Sequence, residues 1–165
     1  MVSKTTYLSP LGEITLAGEG ETLTGLWFTG QKHFGGDAIP LGEAPVFSFT
    51  RLWLDAYFAG TVPGELPPLA PEGTPFQKEV WDLLLEIPRG ETATYGQLAK
   101  ELSRRQGRRT SPRAVGSAVG RNPVSIMIPC HRVVGANGSL TGYAGGLERK
   151  KWLLEWEAEG PAHPN

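Results

Sequence analysis

TATYGQLAKELSRRQGRRTSPRAVGSAVGR, residues 92–121, is the stretch whose reading decides the fold of this chain. Thr94-Tyr95-Gly96-Gln97 has the form of a capping box, with a threonine hydroxyl to accept a backbone N–H and a glutamine three residues on to reach back. It opens a short helix predicted through Leu102. Ser111-Pro112 supplies a second start, a serine cap followed by proline at the first helical position, for a helix running to about Gly120. Two short helices joined by a turn read as helix-turn-helix, although the connecting residues 103–111, SRRQGRRTS, are longer than the usual turn of that motif.

Downstream, Val124 to Ile128 form an extended apolar run, Ala136-Asn137-Gly138 a turn, Thr141 to Gly146 a glycine-rich segment, and Leu147 to about Ala158 a last helix. Upstream, Thr74-Pro75-Phe76-Gln77 is another capping box, opening a helix to about Ile87 that Pro88 and Gly90 end. Residues 60–73, GTVPGELPPLAPEG, hold four prolines and three glycines and mark a domain boundary or extended linker. Before them, Val46, Phe49, Trp53, Ala56 and Tyr57 recur at helical spacing from Pro45 to Ala59. The first 30 residues alternate as a glycine-punctuated meander. The expected fold is therefore α/β in the α+β sense. A small antiparallel sheet with a covering helix occupies residues 1–70. A mostly helical part with a winged helix-turn-helix-like motif occupies residues 71–165.

The chain has 165 residues, 39% of them apolar and 20% charged, enough to bury a core. No stretch approaches the roughly 18 apolar residues of a membrane span, and MVSKTTYLSPLGE lacks the features of a signal peptide, so a non-membrane, cytoplasmic protein is expected. One cysteine, Cys130, leaves no internal disulfide and no thiolate zinc cluster. His33, His131 and His163 lack metal-ligand spacing, so neither metal nor cofactor is expected. The net charge of −1 conceals an asymmetry: residues 1–91 carry twelve acidic and five basic side chains, whereas residues 92–135 carry eight basic ones against Glu101 alone. A basic segment beside the only cysteine suggests a polyanionic partner, the alternative being a solvated arginine-rich loop.

Cys130 follows a strand-like apolar run and precedes His131. Cationic neighbours or a histidine lower a thiol's pKa and make it a nucleophile, although a lone cysteine also serves as buried apolar filler. Neighbouring side chains on a strand point to opposite faces. His131 would then reach the thiol only if the backbone departs from strand geometry or a water relays the proton. Glu157 in the last helix is a candidate to orient His131, or one more carboxylate of a solvated face beside Glu148, Glu155 and Glu159.

IPCHRVV, residues 128–134, resembles the active-site signature of the O6-alkylguanine-DNA alkyltransferases. GTPFQKEVW, ATYGQLA and the run from RAVGSAVGRNP to LEWE resemble the same family in order, over roughly residues 70–158. The N-terminal part is similar in its sheet-plus-helix layout, which in that family is ribonuclease H-like. The resemblance implies a suicidal repair protein, a methylated-DNA–protein-cysteine methyltransferase. It would act as a monomer on double-stranded DNA in the cytoplasm or nucleoid, extruding O6-alkylguanine and transferring the alkyl group to its own cysteine. O4-alkylthymine, alkyl size and cooperative packing on DNA stay open.

By matching position the resemblance makes Cys130 the nucleophile, His131 its base through a water, Glu157 the group orienting that histidine, and Asn122 a hinge. Tyr95 turns the target nucleotide and helps protonate the departing guanine, and Arg113 fills the gap in the base stack. Thr94, Ala114, Gly116, Ser117 and Arg121 fall on the DNA-binding helices, the small residues permitting close approach to the minor groove. The backbones of Cys130, Val133 and Ala144, with Tyr143, line the base pocket. Ser125 stands where members accepting benzyl groups carry proline, and Ala144 replaces a serine. Two other classes remain. A non-catalytic sensor of alkylated DNA is one; a cysteine hydrolase is the other, and it leaves the basic segment and the helix-turn-helix unexplained.

Overall fold

The computed structural model describes residues 1–159; His163 and the end of the segment expected over residues 71–165 lie outside the described residues. The chain forms two compact units, one built from Met1–Glu72 with Pro123–Ser125, the other from Gly73–Asn122 with Ile126–Ala158.

In the first unit, β1 (Ser3–Ser9), β2 (Gly12–Glu19) and β3 (Thr22–Phe28) form an antiparallel sheet in that order. The turn into β3 uses Gly20 at φ 59°, a conformation glycine adopts without a Cβ penalty. Ile14, Leu16, Leu26 and Phe28 are fully buried beneath α1 (Pro45–Phe58), which turns Val46, Phe47, Leu54 and Tyr57 inward. A Cβ on Gly18 would sit 2.7 Å from Val46 Cγ1, so glycine there is what lets the helix approach the sheet.

The outer edge of β3 is not left open. Leu23 N–H donates to Pro68 O at 2.9 Å and Ala70 N–H to Leu23 O at 2.9 Å, so the proline-rich segment read as a linker is partly edge pairing. Farther along, Leu26 N–H donates to Pro123 O and Ser125 N–H to Leu26 O, each at 2.8 Å. These short irregular pairings cover hydrogen-bonding groups that would otherwise present an open edge.

In the second unit, both capping boxes form. Thr74 Oγ1 accepts from Gln77 N–H at 3.1 Å to start α2 (Pro75–Leu84), and Thr94 Oγ1 accepts from Gln97 N–H at 3.0 Å to start α3 (Tyr95–Gln106). Ser111 Oγ accepts from Ala114 N–H at 3.1 Å to start α4 (Pro112–Gly120). A two-residue parallel ladder joins β4 (Ala93–Thr94) to β5 (Val133–Val134), and α5 spans Leu147–Ala158. Trp81 is buried and its indole N–H donates to Ala118 O at 2.8 Å, tying α2 to α4.

Three expectations are corrected. α2 stops at Leu84, and tighter turns carry the chain to Ile87, whose N–H bonds Leu84 O. α3 continues past Leu102 to Gln106, because Glu101 pairs with Arg104 and Arg105 in the added turn and Gly107 closes it at φ 68°. The helix thus absorbs half of the long connection, leaving residues 107–111 as the turn. The run from Val124 to Ile128 is not a strand. Val124 makes one bridge, and Ile126 then adopts φ 69°, a strained conformation for a β-branched residue that breaks the extension four residues before Cys130.

Candidate active site and nucleic-acid interface

Pro129 leads into a single 3-10 turn, Cys130–Arg132, in place of a strand. That departure removes the opposite-face constraint on Cys130 and His131. Cys130 is 6% exposed and its N–H donates to Ile128 O at 2.7 Å. Asn122, at the end of α4, donates from Nδ2 to the same Ile128 carbonyl at 2.8 Å and also hydrogen-bonds the cysteine side chain. It ties α4 to the turn carrying the thiol.

The helix α5 supplies the other side. Its buried residues Lys150, Leu153 and Glu157 follow helical spacing on one face. His131 is wholly buried and its Nε2–H donates to Glu157 Oε2 at 2.8 Å. Arg132 donates from Nε to Glu157 Oε1 at 2.8 Å, from Nη2 to Oε2 at 3.0 Å, and from Nη1 to Ile87 O at 2.7 Å. Lys150, fully buried, donates from Nζ to Thr141 O at 2.8 Å and Gly142 O at 3.3 Å, anchoring the glycine-rich segment.

Burial sets the resting protonation states. Burial pushes the Cys130 thiol up, against the bond from Asn122 and the charge of Lys150, so the resting group is the thiol. This corrects the expectation that basic neighbours leave it a thiolate. Burial pushes His131 down, against Glu157, whose bond and charge raise it; Arg132 and Lys150 push it further down. Glu157 is raised by burial, but the bonds and charges of His131 and Arg132 outweigh this and hold the carboxyl well below its usual range. Lys150 is pulled down to about 8 by burial, against the raising effect of Cys130. A carboxylate cannot donate, so the Nε2 facing it carries the imidazole proton and Nδ1 keeps its lone pair. Nδ1 is buried and has no hydrogen-bond partner among the described residues.

The family described as 6-O-methylguanine DNA methyltransferase, DNA binding domain, matches residues 75–159, and its ribonuclease-like domain matches residues 2–66. The chain belongs to this family. A methylated-DNA–protein-cysteine methyltransferase of Methanosarcina acetivorans is 48% identical over 152 residues, covering 92% of this chain and 95% of the relative. One of Mycobacterium tuberculosis is 44% identical over 157 residues, covering 95% and 93%. The crystal structure of the M. tuberculosis O6-methylguanine methyltransferase has a TM-score of 0.86 and covers 99% of this chain and 97% of that one. A structure of the M. tuberculosis protein in complex with DNA has a TM-score of 0.85, at 44% identity, covering 97% and 96%.

Within this methyltransferase-family fold, the second unit brings Cys130, His131, Glu157 and Asn122 into one bonded cluster. Tyr95 begins α3, and its ring faces Gly116 of α4: a Cβ there would lie 3.6 Å from the ring. Thr94 caps α3, and Ala114 N–H is held by the cap of α4. Arg113 and Ser117 are exposed along α4 and Arg121 at its C-cap; Tyr143 and Ala144 are half-buried in the segment before α5, and Val133 is fully buried in β5. Ser125 is not part of this cluster. It is buried in the first unit, bonded to Leu26.

The basic segment is not uniformly available. Arg104 pairs with Glu101, and Arg105 grips Glu86 through Nη1 at 2.8 Å and Nη2 at 2.7 Å. Lys100, Arg108, Arg109, Arg113 and Arg121 are exposed, with no ion pair among the described residues. Two cations of the site escaped the sequence reading, the largely shielded Arg132 and the fully buried Lys150. A signal existed: Lys150, Leu153 and Glu157 occupy the inward positions of α5, where a charge is unusual unless it has a partner.

Proposed function

We propose that this protein reverses DNA alkylation directly, moving the alkyl group of O6-alkylguanine in double-stranded DNA irreversibly onto Cys130, once per molecule. The observation that carries the reading is a buried cysteine bonded by Asn122 and followed by a His131–Glu157 pair, in the same unit as two capped helices, the second of which carries the exposed Arg113. The family supplies the activity, that of a methylated-DNA–protein-cysteine methyltransferase. A cytoplasmic, nucleoid-associated place of action follows from that substrate.

The chemistry uses the protonation states above. The Cys130 proton passes to His131 Nδ1 through a water, and Glu157 stabilises the imidazolium formed. Sulfur then bonds to the alkyl carbon as the carbon–O6 bond breaks, and the electron pair leaves on guanine, which Tyr95 helps to protonate. The target carbon is out of reach inside a duplex, so the nucleotide is extruded at a cost of a few kcal/mol, less for a damaged base. Arg113 fills the space, and the backbones of Cys130, Val133 and Ala144, with Tyr143, receive the base. Thr94, Ala114, Gly116, Ser117 and Arg121 contact the DNA.

Incubation with a duplex containing O6-methylguanine tests this by intact mass. Wild type gains one methylene mass per chain, and Cys130→Ser gains none while still binding the duplex. The raised thiol favours one rival, a damage sensor that binds without transfer. Unchanged wild-type mass with tight binding establishes the sensor instead.

A further inference from the structure

We propose that Arg132 is a positioning residue: its two-pronged grip on Glu157 keeps His131 a neutral imidazole with Nδ1 open to receive a proton. The role rests on the alkyl-transfer reading for its purpose, but on the geometry of the turn for its existence.

Glu157 has two oxygens and both are engaged by the guanidinium, Oε1 at 2.8 Å and Oε2 at 3.0 Å, the latter shared with His131 Nε2. The third prong, on Ile87 O at 2.7 Å, fixes the guanidinium to the chain beyond α2. Glu157 is 1% exposed at its side chain and Arg132 13%, so this is a bidentate pair shielded from water, where its mutual compensation is strong. A carboxylate neutralised by a full positive charge holds the imidazole by a hydrogen bond without drawing a second proton onto it. An uncompensated carboxylate in the same place would favour the imidazolium, whose Nδ1 is already protonated and cannot accept.

The surrounding charges point the same way. From α5, His131 meets Glu157 and Lys150; from its own turn it meets Arg132 and lies beside Cys130. The helix α2 turns Val80, Trp81, Leu83 and Leu84 inward and leaves Lys78, Glu79 and Asp82 exposed. One negative and two positive groups thus act on the ring, and protonating it would add a third positive charge in a buried site. The direction of the His131 shift, downward with Arg132 among its causes, agrees. The proton accepted at Nδ1 comes from the Cys130 thiol, leaving the sulfur with the electron pair that forms the new bond.

The test is an NMR titration of the His131 ring nitrogens in the full-length protein, with single-turnover methyl transfer measured across pH. In wild type at neutral pH the ring is neutral, with its proton on Nε2. Arg132→Gln raises the His131 pKa by about one unit, in line with the loss of a neighbouring charge. It also moves the acidic limb of the rate profile upward by a similar amount. Arg132→Lys keeps a positive charge near Glu157 and leaves the pKa close to wild type. A uniformly lower rate for Arg132→Gln, with pKa and limb unmoved, overturns the proposal in favour of plain bracing. If Arg132→Gln does not fold, wild type alone decides: an imidazolium at neutral pH overturns it. The titration needs no substrate, so a protein with an Arg132-dependent His131 pKa but no methyl transfer refutes the functional reading and spares this one.

Discussion

The two units hide very different things in their interiors. Among the described residues, the buried polar side chains of the first unit are Ser9, Thr15, Thr50 and Ser125, all uncharged, in an interior that also buries Ile14, Leu16, Leu54 and Tyr57. Those of the second unit are Asn122, His131, Lys150 and Glu157, three of them ionisable. Burying a charge is expensive and seldom improves on a well-packed apolar core. The first unit therefore reads as an interior selected for packing, and the second as one where packing is compromised around Cys130 to control protons. Formal charge divides along the sequence in the same sense, acidic over residues 1–91 and basic over residues 92–135.

The largest effect that can break this contrast is in unfolding free energy. Glu157→Ala strands Arg132 and His131 and is expected to cost about 3–5 kcal/mol at neutral pH. Leu54→Ala in the first unit costs about 2–5 kcal/mol by cavity formation. Acid distinguishes them. The folded pKa of Glu157 lies below its usual 4.5, so its stabilisation is complete above 4.5 and is lost as pH falls through the folded value. Denaturant titrations should show the Glu157→Ala penalty shrinking on acidification and the Leu54→Ala penalty staying level. Two level penalties would mean the second interior is held by packing alone.

Lys150 sharpens the contrast at the other end of the pH scale. Its folded pKa of about 8 lies below the ordinary 10.5, so between those values the unfolded chain binds more protons and stability rises with pH. Below about 8 the burial penalty is present in full. Lys150→Met should remove this rise, seen as urea midpoints that no longer climb between pH 8 and 10. An unaltered climb would assign it to other groups.

A smaller effect separates available from engaged arginines. For an unmodified duplex, Arg108→Ala with Arg109→Ala should reduce the slope of log affinity against log salt by up to about 2, near 0.9 per phosphate contact. Arg104→Ala with Arg105→Ala removes the same formal charge, but those side chains are held by Glu101 and Glu86, and the slope should barely change. Equal reductions in the two variants would show that net charge, not local contact, governs binding.

The smallest prediction concerns Thr50, fully buried, with Oγ1 lacking a hydrogen-bond partner among the described residues. Thr50→Val should leave stability unchanged or raise it by up to about 1 kcal/mol, because it removes an unsatisfied hydroxyl. A clear loss in calorimetry would show that the hydroxyl is satisfied in solution.

Legibility in the sequence tracked locality. Both capping boxes and the serine cap were readable because each is a contact over three residues, and all three formed where Thr74, Thr94 and Ser111 stand. The meander and α1 followed from periodicity. What was hidden depended on distant partners. Val124 looked like the start of a strand, yet its neighbours bond Leu26, about a hundred residues earlier, and Ile126 then turns the chain. The tail of α3 was hidden for a similar reason, since Arg105 is fixed by Glu86 as well as by Glu101. In the site, Cys130 and His131 were evident as a pair, and Glu157 was carried by resemblance. Arg132 and Lys150 were passed over because a cation reads as surface until the carboxylate or carbonyls it serves are placed beside it.

Everything rests on a covalent change at one sulfur, so mapping that change is the most direct measurement. Protein saturated with duplex carrying a labelled O6-methyl group is digested, and the label is located and counted. One methyl per chain, all of it on the peptide containing Cys130, is the predicted result. Label on another residue, or methyl groups removed in excess of the protein present, would contradict the account.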